Sequence, residues 1–491
     1  MSKLAKQSIQ TTIFSYIGVV LGYFNVLWLY PYALDSTELG TFRTIQDLGL
    51  LIVPFAQLGV GHGITRFFPQ LENQKSAFLS YSLAFSLLGF LVVSLLFVGF
   101  KEQVIGLFAA NSPEVIDFLG IAILITLFAL LSSVLDAYGR SFLKVAIPTF
   151  FREVFLRFLT SVLVSIYLIG WIDFEWVMRG LVLVYGIALF GVLVYLIWLK
   201  VLVLDFRWAS FPPGFRSSFL KFSLVTFLAT AASTLIMKID SIMVSSMVSL
   251  EANAIYSIAF YMALVVELPR RAISQVAMPV IAEHFAQKRY AEIQAIYRQL
   301  SARQLYICLF LFALIWVNID QIYHFVPNRD IYQAGKWVVF FIGLGKIVDV
   351  AFSVNSEILV FSNYYRFNLI LTVLMSLLII AVNNWLIPIY GIEGAAIGSA
   401  LVMLGFNLVK YGYLKVKLQL DPFSWETLKI IFAGGMLMLI GWIDLDPLHP
   451  LLILVIQSAI LLIGFIVLSK LLKIGQEEWA WIKSKIKKSG P

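Results

Sequence analysis

Apolar runs of about twenty residues recur from one end of this chain to the other, which is the length an α-helix needs to cross the hydrocarbon core of a bilayer. Short polar segments separate these runs. The composition agrees, because 60% of the residues are hydrophobic and 13% are charged, whereas a soluble domain is about one quarter charged. The sequence therefore predicts an all-α, polytopic membrane protein without a separate soluble domain.

The apolar pattern predicts about fourteen membrane spans and no stretch with the period of a β-strand. A weak internal repeat supports a two-lobed carrier. The second and eighth spans each follow a short acidic turn and contain an interior proline, Pro54 and Pro269, as in transporters built from repeated helix pairs. The predicted spans are 11–34, 41–67, 78–100, 116–138, 146–170, 176–199, 218–248, 252–282, 298–318, 335–361, 366–388, 393–416, 427–443 and 451–472.

The connecting segments alternate between basic and acidic composition, and this alternation predicts the topology. Lysine and arginine are concentrated at the N-terminus, in every second connection and in the C-terminal tail. The positive-inside rule therefore places both termini in the cytoplasm, and an even number of spans agrees. The net charge of +8 is explained by these segments, so it does not indicate nucleic-acid binding. The single cysteine, Cys308, excludes an intrachain disulfide.

The C-terminal tail combines apolar and basic residues. Residues 475–488 place two tryptophans and two isoleucines beside four lysines. This pattern favours a helix lying on the anionic inner leaflet, and a frayed, solvated tail is the alternative.

Several spans contain charged side chains, each of which costs roughly 2.5–3.5 kcal/mol near the centre of a membrane helix on insertion scales. Residues three or four apart share a helix face and can neutralise each other. For each of these side chains, a structural role through local pairing or snorkelling to the headgroups is as good an interpretation as a functional role. The predicted local pairs are Arg43 with Asp47, Asp136 with Arg140, Glu153 with Arg157, Glu267 with Arg271, and Lys346 with Asp349.

Local pairing does not explain the charges of the segment 235–279, which reads as two apolar helices joined by a short turn. Lys238 and Asp240 are two residues apart, so they point to different sides of the first helix. Both are expected roughly 15–18 Å from the turn, close to the bilayer midplane. Each is therefore expected to need a partner on another helix or a water-filled cavity.

The second helix of this segment is expected to have one positive charge left over. Arg270 and Arg271 compete for the single carboxylate of Glu267. Snorkelling is the alternative, because the arginine pair is predicted near the cytoplasmic headgroups. Arginine suits phosphate because its planar guanidinium binds oxyanions through two hydrogen bonds. Arg66, Arg152 and Arg157 also fall in the cytoplasmic halves of predicted spans, and with the arginine pair they could line an inward-facing mouth.

Signatures of catalysis are absent from the sequence. The four histidines are isolated, and no zinc-protease, serine-hydrolase or P-loop pattern occurs. The sequence therefore predicts no enzyme activity, no cofactor and no metal centre. Transport without ATP hydrolysis is expected to be driven by an ion gradient or by the membrane potential.

Three stretches resemble the bacterial polysaccharide or O-antigen flippases of the multidrug/oligosaccharidyl-lipid/polysaccharide exporter superfamily. The resemblance covers essentially the whole chain, although its motifs are diffuse. The last stretch is similar to the C-terminal segment of that family. The stretches are YPYALDSTELGTFRTIQDLGLLIVPFAQLGVGHGITRFFP at 30–69, KIDSIMVSSMVSLEANAIYSIAFYMALVVELPRRAISQVAMPVIA at 238–282 and IPIYGIEGAAIGSALVMLGFNLV at 387–409.

The resemblance implies two pseudo-symmetric lobes of six helices, 1–215 and 216–418, followed by two extra helices and a tail, 419–491. It implies a central cavity that opens alternately to the cytoplasm and to the outside. The implied substrate is a polyprenyl-diphosphate-linked oligosaccharide, moved from the inner to the outer leaflet of the plasma membrane during lipopolysaccharide O-antigen or related polysaccharide synthesis. Membrane lipids and a glycan assembly machinery are the implied partners.

Site residues are predicted from the basic excess and from the resemblance together. The diphosphate is expected to dock on Arg270, Arg271 and Arg66 and then to pass Lys238, with Arg43 as a further basic contact. Asp240 matches an acidic position that serves cation coupling in some family members, and Asp47 is the second candidate for a monovalent cation. Three asparagines of the eleventh span, Asn368, Asn383 and Asn384, have no clear alignment with a cation site.

Two other functions remain open at this stage. A drug or metabolite antiporter of the same superfamily would need an aromatic, acidic cavity, and the basic excess argues against it. A membrane-embedded glycan polymerase or acyltransferase would need a large outer loop or a buried histidine, and the outer loops are short.

Overall fold

The fold was determined as a computed structural model that describes residues 3–474, apart from 72, 209, 210, 444, 446 and 447. α-Helices dominate, and no strand occurs in the part of the chain that it describes. The prediction of an all-α membrane protein is therefore confirmed. The predicted surface helix at 475–488 lies outside the described residues.

The described residues of the first half of the chain form eleven α-helices. Asp35 and Glu38 form a capping box at the start of the third helix, because the Asp35 carboxylate accepts the Glu38 N–H at 2.8 Å and the Glu38 carboxylate accepts the Asp35 N–H at 3.1 Å. Two π-helical segments, Asn25–Leu29 and Phe150–Phe155, interrupt the first and fifth spans. The helices are α1 Lys3–Phe24, α2 Tyr30–Ala33, α3 Ser36–Gln57, α4 Val60–Phe67, α5 Lys75–Gly99, α6 Lys101–Phe108, α7 Glu114–Ser141, α8 Ala146–Thr149, α9 Leu156–Leu168, α10 Phe174–Trp198 and α11 Phe215–Met247.

The described residues of the second half form ten α-helices, and two sharp breaks occur among them. Ser353 has a φ of 51° between α17 and α18, and Gly391 has a φ of 57° inside the 54-residue α19. The helices are α12 Leu250–Leu264, α13 Leu268–Ala286, α14 Tyr290–Val317, α15 Ile319–His324, α16 Arg329–Tyr332, α17 Lys336–Ala351, α18 Asn355–Phe361, α19 Tyr365–Leu418, α20 Trp425–Met438 and α21 Pro450–Leu472.

Among the residues that the structure describes, ten helices are long and apolar enough to cross a membrane, or up to twelve if each of two bent pairs is one span. The bent pairs are α3 with α4, at 47°, and the segment 329–351 with α18, at 46°. Two more of the fourteen predicted spans are not counted separately here. α19 contains two predicted spans on either side of Gly391, and the helical segment 146–168 contains three charged residues.

The Cα positions divide the chain into two compact units. The first unit is Met1–Ser257 with Thr372–Ile392, and the second is Ile258–Leu371 with Glu393–Pro491. This division differs from the predicted lobes, because α11 packs along α3 and α4 and so joins the first unit. The predicted lobe boundaries at 1–215 and 216–418 remain a prediction.

The first unit is held at the α4 end by aromatic side chains. Phe67 and Phe78 pack edge-to-face against Phe215 and Phe219 of α11, with ring centroids 5.3–5.9 Å apart. All four rings are buried. In the second unit, α14 lies at the centre and packs against α13, α17, α20 and α21.

The break between α3 and α4 is made by two residues in the left-handed region, Leu58 and Gly59. At Gly59 a β-carbon would overlap the carbonyl of Ser223 in α11. Glycine therefore allows both the backbone turn and the close approach of α11.

We predict that Gly59→Ala lowers the melting temperature of the purified protein. The left-handed backbone alone costs about 1–2 kcal/mol for a residue with a β-carbon, and the overlap with Ser223 adds to it. Gly405→Ala is the matched control, because its β-carbon would meet open space on an ordinary helical backbone. Equal melting temperatures for the two variants would contradict this account.

Candidate functional site

The charged residues predicted to matter lie in two clusters, one in each unit. In the first unit, the Lys238 ammonium lies 2.6 Å from the Asp47 carboxylate. The structure therefore supplies the partner on another helix that Lys238 was expected to need, and the two helices are α11 and α3. The Lys238 side chain remains 24% exposed, so this ion pair is open to a second ligand.

Arg43 lies one helical turn before Asp47 and is buried. Its guanidinium packs over the Tyr30 ring at 5.2 Å and donates to the Gln46 amide oxygen at 3.3 Å. Sequence spacing paired Asp47 with Arg43, and the structure gives Asp47 a close basic partner from α11, Lys238.

Asp240 points away from Lys238, as its spacing predicted, and is buried. Its carboxylate accepts the Tyr256 hydroxyl at 2.8 Å and the Asn383 amide at 2.7 Å. The side-chain oxygen of Asn383 is buried and has no hydrogen-bond donor among the described residues. A carboxylate, a phenol and an amide oxygen thus come together in a buried position, although no sequence spacing connects them.

Polar side chains continue from Lys238 towards the turn between α11 and α12. The hydroxyls of Thr44 and Ser245 lie 2.6 Å apart. The Asn253 amide donates to Thr44 at 2.9 Å, and its oxygen accepts from Ser241 at 2.8 Å. These contacts fasten α3 to the helical hairpin of α11 and α12.

In the second unit, Arg270 is enclosed rather than left over. It forms an ion pair with Asp349, lies 3.9 Å from Glu267 and donates to the Ser353 carbonyl at 3.0 Å. Its side chain is 13% exposed. The expectation that one arginine of the pair Arg270 and Arg271 is left over is therefore wrong, because α17 supplies Asp349 to Arg270.

Glu267 has three basic partners, counting Arg270 at 3.9 Å. It binds Arg271 at 3.1 Å, which confirms the predicted local pair, and Lys346 at 2.7 Å. The predicted pair of Lys346 with Asp349 is wrong. Lys346 binds Glu267, which precedes α13, and Asp349 binds Arg270, which lies in α13. Arg271 is 47% exposed, so it is the arginine of this cluster that a ligand can reach.

Two further charged residues of this cluster were missed by the sequence analysis. Lys410 donates to the Ser356 hydroxyl at 2.8 Å, and Glu357 interacts electrostatically with both Arg270 and Lys410. Lys410 lies close to a basic connecting segment of the sequence, where a lysine indicates topology and gives no sign of a site. Counted over the seven residues, four basic side chains face three carboxylates, so the cluster has a net charge of +1. The seven are Glu267, Arg270, Arg271, Lys346, Asp349, Glu357 and Lys410.

Uncharged side chains hold this cluster in place. The Asn407 amide donates to Asp349 at 3.0 Å, and its oxygen accepts from Asn355 at 2.7 Å. Ser353, at the break between α17 and α18, donates to Gln304 at 3.0 Å. Its carbonyl is the one that Arg270 binds, so Arg270 also satisfies backbone freed by the broken helix.

The remaining predicted basic residues lie in the first unit. Arg66 is exposed and packs over the Phe222 ring at 4.3 Å. The predicted pairs Asp136 with Arg140, at 3.7 Å, and Glu153 with Arg157, at 3.2 Å, are confirmed. Arg152 joins these two pairs by binding both carboxylates, which makes a five-residue ladder. The described residues contain no group of three or more acidic, histidine or cysteine side chains placed to hold a metal ion.

Comparison with known proteins identifies the fold. No family model and no curated protein matches the chain. Among solved structures, it is similar to the lipid II flippase MurJ in an inward closed conformation, with a TM-score of 0.73 and 17% identity over 94% of this chain and 98% of that chain. It is also similar to an inward-facing MATE multidrug resistance transporter of the MOP superfamily, with a TM-score of 0.66 and 12% identity over 85% and 98% of the two chains.

A third similar structure is a MOP superfamily transporter from Pyrococcus furiosus described by the reverse polarity of its binding pocket. Its TM-score is 0.55, with 12% identity over 85% of this chain and 97% of that chain. These comparisons confirm the resemblance to the exporter superfamily at the level of the fold. The chain is a multi-pass membrane protein, and it shares its fold with these three transporters.

We predict that Asp349→Asn destabilises the protein by about 3–5 kcal/mol, because it leaves the enclosed Arg270 guanidinium without its carboxylate. Asp320→Asn is the control, since Asp320 pairs with Lys336 at 2.8 Å on an exposed surface, where such pairs contribute about 1 kcal/mol or less. Thermal unfolding in detergent measures both variants. A loss of stability at Asp349 no larger than the loss at Asp320 would contradict the structural role of the pair.

Proposed function

We propose that this protein is a flippase that moves a polyprenyl-diphosphate-linked oligosaccharide from the inner to the outer leaflet of the plasma membrane. Its product would supply O-antigen or a related cell-surface polysaccharide, downstream of a membrane-bound glycan assembly machinery. The proposed orientation has both termini in the cytoplasm. Support comes from the likeness to a lipid II flippase over 94% of the chain and from the basic excess around Arg271.

Arg271 is the observation on which this proposal rests most. Its guanidinium is half-exposed and shares its carboxylate with Lys346, so Glu267 neutralises it only in part. A diphosphate presents several oxyanions in the geometry that a guanidinium binds through two hydrogen bonds. In this proposal Arg271 makes the first contact, while Arg270 and Lys346 contribute positive potential from behind it. Arg66 and Lys238 are proposed as further contacts along the route.

The buried Asp240 is proposed as the site of a coupling monovalent cation. The residues present fit such an ion, because Asp240 and Tyr256 provide oxygen ligands and Asn383 has a buried oxygen without a donor. Binding there would neutralise a carboxylate in an apolar setting. One charge moved across 100 mV corresponds to about 2.3 kcal/mol, so the ion could bias the direction of transport.

A drug or metabolite antiporter is the second candidate, and the likeness to a MATE multidrug resistance transporter favours it. That function would need acidic side chains that a cationic ligand can reach. The seven-residue cluster of the second unit has the opposite sign, and its carboxylates are already paired with basic residues. We therefore favour the anionic lipid-linked substrate.

We expect Arg271→Ala to reduce translocation of a lipid-linked oligosaccharide in proteoliposomes by about tenfold or more, since a charge-assisted hydrogen bond contributes about 1.5–3 kcal/mol. Arg271→Lys should retain part of the rate. Arg179→Ala removes an equally exposed arginine that pairs locally with Glu175 on α10 and should behave like the parent protein. Full translocation by Arg271→Ala would remove the main support for this assignment, as would export of an organic cation in place of the lipid.

A second experiment tests the cation site. Asp240→Asn should abolish the dependence of translocation on sodium or on pH, whichever the parent protein shows, because the neutral amide cannot balance a bound cation. Ser376→Ala is the control, since its buried hydroxyl donates to a backbone carbonyl within its own helix. Unchanged cation dependence in the Asp240 variant would exclude Asp240 as the coupling residue.

A further inference from the structure

The contacts between α3 and the hairpin of α11 and α12 form what we call the polar seam. Gly40, Thr44 and Asp47 are spaced four and three residues apart and therefore share one face of α3. They meet Leu250, Ser245 and Lys238, respectively. The Gly40 backbone lies so close to the Leu250 carbonyl that a β-carbon would overlap it. Thr44 and Ser245 are joined at 2.6 Å, and Asp47 and Lys238 at 2.6 Å.

The end of α11 is also held by polar groups of the loop between α6 and α7. The Ser112 hydroxyl donates to the Ser245 carbonyl at 2.6 Å, and the Asn111 amide donates to the Ser246 carbonyl at 2.8 Å. These carbonyls belong to the last turn of α11, where helical backbone has no internal partner. Water can replace each of these bonds when the groups separate.

The other end of α11 is fixed by a different kind of contact. Phe215 and Phe219 pack with Phe67 and Phe78 in a buried aromatic core. Separation there would expose ring surface to water without any compensating interaction. α11 is thus anchored by apolar packing at one end and fastened by exchangeable hydrogen bonds and one ion pair at the other. That difference makes the polar seam the part of the contact that can open.

Asp47 has two basic side chains within reach, which gives the ion pair an alternative. Lys238 binds it from α11, and Arg43 lies four residues earlier on its own helix, at the spacing that allows an ion pair. The Lys238 ammonium is a compact charge with three donors, so an incoming oxyanion can take the place of a carboxylate on it. A phosphate carries more negative charge than Asp47 and competes for the ammonium accordingly.

We propose that a phosphate-bearing ligand replaces Asp47 on Lys238, that Asp47 then turns to Arg43, and that the polar seam opens as a result. The inference rests on the proposed function, because the seam lies at the acidic-turn end of α11, which faces outward in the proposed topology. Binding of the phosphate to Lys238 then opens the outward-facing polar seam. Until the phosphate binds, Asp47 pairs with the Lys238 ammonium.

The chain offers a direct reporter of the seam. Cys308 is its only cysteine, so Cys308→Ser gives a background without thiols. Thr44→Cys with Ser245→Cys places two thiols where the hydroxyls lie 2.6 Å apart, and mild oxidation should join them. Farnesyl diphosphate, a soluble prenyl diphosphate, should slow this cross-linking in lipid nanodiscs by about fivefold or more, the range of ordinary ligand coupling.

Matched variants assign the effect to Lys238. Adding Lys238→Met to the cysteine pair should abolish the response to farnesyl diphosphate. Adding Lys336→Met should leave the response intact, because that lysine pairs with Asp320 on an exposed surface. Sodium chloride at equal ionic strength controls for screening of the ion pair, because chloride is not an oxyanion.

Three results would overturn the proposal. The first is absence of the disulfide, because the seam would then not exist as described. The second is equal cross-linking with and without farnesyl diphosphate. The third is an equal response after Lys238→Met, because the ligand would then act elsewhere. Translocation of a lipid-linked oligosaccharide is measured separately, so a diphosphate-sensitive seam in a protein that does not move the lipid would refute the proposed function alone.

Discussion

Charge buried among apolar helices must be compensated by other protein groups, because neither lipid nor packed side chains can solvate it. Much of this structure depends on that constraint. Arg270 pairs with Asp349 and donates to a carbonyl of broken helix, while Glu267 binds Arg271 and Lys346. The amide of Asn407 then fixes the carboxylate of Asp349. These contacts tie α13, α17 and α19 together through charge and hydrogen bonding as well as through packing.

The same constraint explains why the two clusters suit different tasks. In the seven-residue cluster of the second unit the basic residues outnumber the carboxylates by one, and Arg271 is its most exposed arginine. In the first unit, Lys238 and Asp240 project from opposite sides of α11 and each has its own partners. A single helix thereby carries a basic group with an exchangeable partner and a carboxylate surrounded by oxygen ligands. That arrangement supports an anionic cargo and a coupling cation as separate ligands.

The candidate site was predictable where a helix determines its own neighbours. The pair of Glu267 with Arg271 follows from a spacing of four. The need of Lys238 and Asp240 for partners on other helices follows from their depth and from their spacing of two. The partners themselves could not be predicted, because Asp349 is 79 residues from Arg270 and Asn383 is 143 residues from Asp240. Lys346 illustrates the error that results. Sequence spacing pairs it with Asp349, whereas the structure pairs it with Glu267.

The sequence by itself determined that this is a helical membrane protein, where its spans lie, and which charges local pairing leaves unexplained. Those properties depend on residues within one helix, where apolar length and the spacing of charges act directly. Only the tertiary structure decided that Arg270 is enclosed and that Asp47 binds Lys238. It also decided that α11 is held by the polar seam at one end and by aromatic packing at the other. These depend on which helices meet, and in a chain of nearly uniform apolar composition the packing of whole helices settles that choice.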